Sequence, residues 1–469
     1  MNVQFKALDY TKDDDFEEAE YEFHGDKDTG WEIKRNGKLY LQLGKGYEVL
    51  KTKYCGVCST DLDRRFLPFP LPQVTGHEVV TESLDGKEKF VVEINDTGIA
   101  RGDLDLDSFC IAGIPTHSPT RMVLGIDRLP GGFGKYILAP KNAIVPFSKI
   151  SSEEAVLIEP FAAALQAVTS SPPRSGDSVA VLGPRRLGGL LLLALQAYRK
   201  SSKIDFSISA IVRHDHLVDL DKNIGEDEIV DLRKIHPEVI REKFDIVYDT
   251  TSTPSGFEFA IQLAKREVHL KSTNGQEVLG LKKLTEMVVD EISILPYSIE
   301  NLKFKWENEK KENSKIYISP NVKIDSLPQG YTEYRLSFEE AVKVLHSPEF
   351  SGRLPRFDLA IASNTDEIDK ILRPSKEDEN SILRPRGAIL FQGEPKDNSL
   401  LKFLSYGKSL RSSRCGDFHL SVKLLEENPD IAKKLSKTMI THKFSPRELK
   451  KAFLVARDPS SVKVVIRHD

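Results

Sequence analysis

The spacing of apolar and polar residues changes character along the chain. From Trp31 to Val145, short alternations recur in Lys38-Leu-Tyr-Leu-Gln-Leu, Phe90-Val-Val-Glu-Ile and Tyr136-Ile-Leu-Ala, broken by Gly, Pro and Asp. A period of two in such runs predicts an all-β region. Residues 1–30 are polar and are expected as a lead-in to it. A helix is predicted over Ser152–Ser170, capped by Ser151 or Ser152, with Glu153 and Glu154 in its positive first turn.

After Pro172-Pro173 strands and helices alternate. Asp177-Ser-Val-Ala-Val-Leu reads as a buried strand, followed by a Gly-rich turn and an apolar helix from Leu187 to Arg199. Strands are predicted at Ile208–Val212, Phe244–Tyr248 and Glu267–Lys271, with a helix near Gly256–Ala264. This order implies a parallel, doubly wound α/β sheet of the nucleotide-binding type. Residues 298–411 interrupt it. They open with a charged stretch, Lys303–Lys315, expected as a solvated helix or loop. Phe357-Asp-Leu-Ala-Ile-Ala-Ser-Asn-Thr then echoes Phe244-Asp-Ile-Val-Tyr-Asp-Thr-Thr-Ser, and Arg386-Gly-Ala-Ile-Leu-Phe echoes Arg266-Glu-Val-His-Leu. The echoes read either as a partial duplication extending the sheet or as chance similarity within an α/β chain. The tail predicts a helix from Phe418, a strand at Met439–His442, a helix over Pro446–Ala456 and a closing strand at Val462–Ile466.

Composition narrows the class. The 469 residues carry 67 Lys and Arg against 71 Asp and Glu, a formal net charge of −4. That length suits two or three domains. No concentrated basic excess marks a nucleic-acid partner. No apolar run approaches the ~20 residues of a membrane span. The acidic N-terminus lacks the order of a signal peptide. Cys55, Cys58, Cys110 and Cys415 are too few for a disulfide framework in so long a chain. A cytoplasmic, reduced, multi-domain enzyme acting on a small molecule is expected.

The candidate chemistry lies in Tyr54-Cys-Gly-Val-Cys-Ser-Thr-Asp-Leu-Asp and Gly76-His-Glu. A thiolate, an imidazole and a carboxylate so close in sequence are the donor set zinc prefers. Val181-Leu-Gly-Pro-Arg-Arg-Leu-Gly-Gly follows a predicted strand and opens a helix, the setting of a phosphate-binding turn. Gly183 and Gly188 hold the first and third glycine positions, and Arg185 replaces the middle one. Its side chain either crowds a pyrophosphate or meets it directly with the guanidinium. The next strand ends in Val212-Arg213-His214 rather than in an acid, which favours NADP(H) over NAD(H).

With Gly131-Gly-Phe-Gly-Lys-Tyr, Leu157-Ile-Glu-Pro and Gly176-Asp-Ser-Val-Ala-Val-Leu-Gly in the same order, these motifs resemble the zinc-dependent medium-chain alcohol and polyol dehydrogenases. The likeness covers about 1–297 and 412–469. It implies a GroES-like β-barrel catalytic domain over 31–171 and a Rossmann-like cofactor domain over 172–420, with 298–411 inserted. Residues 421–469 would return to the catalytic domain. By position it implies Cys58, His77 and Glu159 as zinc ligands, Glu78 as a ligand or near-ligand, and Thr60 as acceptor of the substrate alcohol's proton. For the cofactor it implies Gly183, Arg185, Arg186, Leu187, Gly188, Arg213, His214, Thr250 and Thr251. It also implies a homo-oligomer.

Two departures stand out. Asp63 occupies the place of the family's relay histidine, and a carboxylate with reference pKa ~4 is a poor base at neutral pH. The four cysteine positions of the family's structural zinc read Leu104, Asp107, Cys110 and Ser118, so one catalytic zinc and no structural zinc is expected. The main alternative is a catalytically degenerate relative acting as a binding or scaffold protein. A zinc-free quinone-reductase-like enzyme is disfavoured by Gly76-His-Glu.

Overall fold

The structure, a computed structural model, describes every residue except 273–274, 303–313, 326, 328, 352, 374–380 and 396–397. The expectation for Lys303–Lys315 falls outside the described residues as far as 313. Four antiparallel strands open the chain: β1 (Asn2–Tyr10), β2 (Phe16–Asp26), β3 (Gly30–Arg35) and β4 (Lys38–Leu43), paired in that order. Residues 1–30 are therefore not a lead-in. In β2, Ala19, Tyr21 and Phe23 are buried between the outward Glu18, Glu20 and Glu22. The acids give the segment its polar composition, while the period of two gives it its buried face.

A barrel follows, built on β5 (Tyr47–Val57), β6 (Glu78–Glu82) and β7 (Lys89–Val92). A small pair, β8 (Asn95–Asp96) and β9 (Met122–Val123), lies beside it. β10 (Tyr136–Pro140) joins β5, and β11 (Ile144–Pro146) joins β7. The helix predicted over Ser152–Ser170 forms as two pieces, Ser152–Ala155 and Ile158–Ser170. Ser151 caps the first with a reciprocal Glu154 contact.

The doubly wound sheet has eleven strands. They are β12 (Ser178–Leu182), β13 (Ser207–Val212), β14 (Glu228–Asp231), β15 (Phe244–Asp249), β16 (Ala264–Leu270), β17 (Ser293–Pro296), β18 (Ser314–Ile318), β19 (Tyr331–Arg335), β20 (Phe357–Ala362), β21 (Leu383–Phe391) and β22 (Ser409–Ser412). In space they run β14-β13-β12-β15-β16-β22-β17-β21-β20-β18-β19. The first six reproduce the 3-2-1-4-5-6 order of a dinucleotide-binding sheet. The segment that departs from that order runs from 271 to 408, because β22, inside the expected 298–411 interruption, is the sixth strand of this order.

The tail forms helices Phe418–Glu427 and Pro429–Met439, then β23 (Ile440–Phe444), helix Leu449–Arg457 and β24 (Lys463–Arg467). β24 slots between β5 and β23 and completes the barrel. One apolar core runs from Val80 and Val91 of the barrel through Ile158 and Phe161 to Leu191 and Leu193, so barrel and sheet share packing. Among the described residues no helix is long and apolar enough to cross a membrane.

Candidate active site

The Cys58, His77 and Glu78 donor atoms lie within 4.8 Å of one another. The local sequence explains why they converge. Cys58 directly follows β5 and caps the short helix Ser59–Leu62, while His77 directly precedes β6 and Glu78 opens it, β6 pairing with β5 so that Gly56 faces Glu78. A Cβ on Gly56 would fall 1.9 Å from Glu78 Oε2, so only glycine leaves room for that carboxylate. Asp61 locks the arrangement: Oδ2 accepts from Cys58 N at 2.9 Å, and Oδ1 accepts from Gly76 N at 3.0 Å. Its Oδ1 also faces His77 Nδ1 at 3.5 Å, too long for a firm hydrogen bond, and that nitrogen is buried without a partner.

Charge balance comes from the far end of the chain. The Lys463 ammonium on β24 donates to both Glu78 oxygens, at 2.6 and 2.8 Å, and all of these groups are buried. Burial opposes the charged form of His77, but Asp61 and then Cys58 outweigh it and raise the imidazole well above its ordinary value. Glu159, in the first turn of helix Ile158–Ser170, stands outside the cluster of three. Burial pushes its carboxyl up to about 7; His77 pulls it down and Glu78 pushes it up. Thr60 Oγ1 lies 3.8 Å from Cys58 Sγ, and Asp63 is exposed at the end of the same short helix. A thiol, an imidazole and a carboxylate whose donor atoms converge within 4.8 Å are the donor set that fits a zinc ion.

The phosphate-binding turn follows β12. Gly183 has φ +74°, a left-handed conformation that glycine tolerates, and a Cβ there would lie 2.8 Å from Thr251. Thr250 Oγ1 donates to Leu182 O and Gly183 O, both at 3.0 Å, while Thr251 donates to Asp249. Helix Arg186–Ser202 starts at the turn; Leu187 packs against the shared core and Gly188 approaches Thr250. Arg185 donates to Asp458 O at 3.2 Å and Ser461 O at 3.4 Å, and Arg186 donates to Ser461 O and Ala456 O. These contacts tie the turn to the end of helix Leu449–Arg457. Arg185 Nε is buried without a partner at a helix N-terminus, a combination that fits a phosphate group. Arg213 and His214 are exposed at the end of β13, and the next acid, Asp215, is already paired with Arg233 at 2.6 Å.

No family model matches the chain. D-arabinitol dehydrogenase 1 of Uromyces fabae is 26% identical over 46% of this chain and 65% of its own length, just under two thirds. Sorbitol dehydrogenase of Halalkalibacterium halodurans is 27% identical over 65% of this chain and 92% of its own. The cobalt- and zinc-bound thermostable alcohol dehydrogenase of Pyrobaculum aerophilum superposes with a TM-score of 0.53 at 13% identity, covering 99% of this chain and 100% of that one. The chain is thus similar in sequence to polyol and alcohol dehydrogenases and shares the fold of a zinc-bound alcohol dehydrogenase.

The positions that the sequence resemblance assigns to a structural zinc are otherwise engaged. Asp107 Oδ1 caps helix Ser108–Ile111 through Phe109 N and Cys110 N, and Oδ2 accepts from Ser118 Oγ at 2.7 Å and Cys110 Sγ at 3.3 Å. Leu104 is fully exposed. Sequence reasoning missed three residues that shape the two sites: Asp61, Lys463 and Arg233. Asp61 carried a signal, an acid at the third helical position reaching back to its cap. Lys463 carried a weaker one, a lone cation within an apolar strand.

Proposed function

We propose that this protein is a zinc-dependent oxidoreductase that transfers a hydride between an alcohol or polyol, or the matching carbonyl compound, and NADP(H). The observation that carries the reading is the convergence of Cys58, His77 and Glu78 within 4.8 Å. Cys58, His77 and Glu159 would hold zinc, with Glu78 a ligand or near-ligand that exchanges with water; the ion would supply Lewis acidity toward the substrate hydroxyl, and a bound nicotinamide would supply the hydride acceptor. Thr60 takes the proton of that hydroxyl and passes it outward along the short helix toward exposed Asp63 and water. Lys463 holds Glu78 as a carboxylate, and Asp61 fixes the backbone on which Cys58 and His77 stand. On the cofactor side, the turn at Gly183 with Arg185 and Arg186 receives the pyrophosphate. Arg213, with Arg233 occupying the nearest acid, selects a 2′-phosphate over a bare ribose.

Titration with NADPH and NADH, followed by nicotinamide fluorescence, tests the reading. Saturable binding with a preference for NADPH supports it; no binding of either removes it. Cys58→Ser should lose zinc and turnover while still binding nucleotide, and full activity in that variant would overturn the metal assignment. One observation favours a second reading, a degenerate relative used as a binding module: Arg185 and Arg186 are already engaged by carbonyls of residues 456–461. That reading predicts no nucleotide binding by the intact chain.

A further inference from the structure

We propose that residues 293–391 form a second, degenerate copy of the cofactor unit, seated edge to edge against β22, with the last strand of each unit exchanged into the other. The strand order across the sheet carries the first part of the argument. Inside edge strand β14, which has no counterpart among the described residues, one side reads β13-β12-β15-β16-β22, and reading inward from the other gives β19-β18-β20-β21-β17. Every neighbouring pair within each set is parallel, and only the seam between β17 and β22 is antiparallel. Two copies of a parallel unit facing each other across a two-fold axis produce that pattern.

Residue-level correspondences fix the match. Asp245 Oδ2 accepts from Ser178 N at 2.8 Å, and Asp358 Oδ2 accepts from Lys315 N at 2.7 Å. Lys271 N donates to Asp249 O at 3.0 Å, and Gln392 N donates to Ala362 O at 2.8 Å. Both units have a register irregularity directly after the first residue of the strand, Phe244 in β15 and Phe357 in β20. The approach to the last strand repeats as well. Helix Leu284–Val289 closes with Ile292 N on Met287 O, and helix Ser399–Ser405 closes with Lys408 N on Phe403 O. A left-handed residue ends each, Glu291 at φ 54° and Gly407 at φ 80°. Three positions later come Ile294 and Leu410, the two residues that pair across the seam. Equivalent residues opposite one another place the two-fold axis between them.

Chain order shows the exchange. β17 follows β16 in sequence but pairs with β21, and β22 follows β21 but pairs with β16. Each unit has given its final strand to the other. The second unit cannot hold a dinucleotide as the first does. Pro320 stands where Gly183 stands, and its ring forbids the positive φ of that turn. Between β18 and β19 the described residues form no helix, where Arg186–Ser202 lies between β12 and β13. The copy therefore closes the sheet edge without adding a cofactor site.

The seam is tested in the full-length double variant Ile294→Cys, Leu410→Cys, oxidised and run without reductant, with peptide mapping to locate the bridge. The expected product is a 294–410 bridge within one chain of 52.8 kDa. A covalent dimer would show that β17 pairs with a different chain, and absence of the bridge would show no seam; either overturns the proposal. Hydrogen exchange on the unaltered chain covers the case in which the variant does not fold. Amides of β17 and β22 should exchange roughly a hundredfold more slowly than those of edge strand β14. Exchange as fast as β14 would overturn the proposal.

Discussion

Replacing Lys463 by Met would leave Glu78 fully buried without its ammonium partner. An uncompensated buried carboxylate costs about 3–5 kcal/mol. Metal-free Lys463→Met should lose stability of that order in urea unfolding, and the zinc-loaded form should lose less because a bound cation offsets the same charge. An equal loss with and without zinc would show that Glu78 does not face the metal. The readability of the site divides at this residue. Cys58, His77 and Glu78 were visible because they lie within one motif and its neighbour, where spacing alone predicts proximity. Lys463 reaches Glu78 from 385 positions away, and no local pattern reports such a pairing.

Among the helices, the turn after Asp215–Ile224 holds a pair of acids whose burial has a measurable consequence. Among the described residues neither Asp221 carboxylate oxygen has a hydrogen-bond partner, and Glu226 has only its own backbone N–H beside it. Burial pushes Asp221 up to about 8, with Glu226 adding to it, and pushes Glu226 up to about 7 against the pull of Lys434. Arg199 beside them is committed to Asp227, and Lys434 to Ile224 O. In the unfolded chain both carboxyls titrate near ~4, so the folded state holds protons that the unfolded state has lost. The contribution to stability is full below that value and falls as pH rises through 7 and 8. Urea unfolding should show higher stability at pH 6 than at pH 8.5, with a shallower decline in Asp221→Asn, Glu226→Gln. An unchanged slope would mean the pair is solvated. Element boundaries followed the sequence closely wherever a strand was continuously apolar, as in β12 and β15. They failed in β1 and β2, where outward Asn2, Gln4 and Lys6 and then Glu18, Glu20 and Glu22 gave the segment a polar composition that masked the alternation, and at Val156–Leu157, where one predicted helix forms as two.

At the scale of the whole molecule, the N-terminal sheet is fastened to the tail. Tyr10, Phe16 and Phe453 form an aromatic cluster with centroids 4.9–5.7 Å apart, and Arg457 and Lys450 pair with Asp14 and Asp15. Phe453→Ala should cost about 3–5 kcal/mol and should loosen the first strands as well, read as faster hydrogen exchange in β1 and β2. Loss confined to helix Leu449–Arg457 would mean that the sheet holds without it. The sequence indicated both classes of domain because each has its own period. One reading of the sequence echoes was a duplication extending the sheet, but the strand order was not visible, since it depends on β17 and β22 crossing one another, and short apolar strands look alike wherever they pair.

The distant pairing of β24 with β5 also bears on how a metal would enter the proposed site. β24 pairs Val464 with Val57 across most of the chain, a contact of very long sequence separation. Such contacts form slowly because loop closure must precede them. During folding, β5 and β6 can pair and bring Cys58, His77 and Glu78 together while the flank that will receive Lys463 is still open to water. An ion has its easiest entry in that interval, when Glu78 lacks a partner and attracts it most strongly. Once β24 docks, Lys463 takes up Glu78 and that flank is closed.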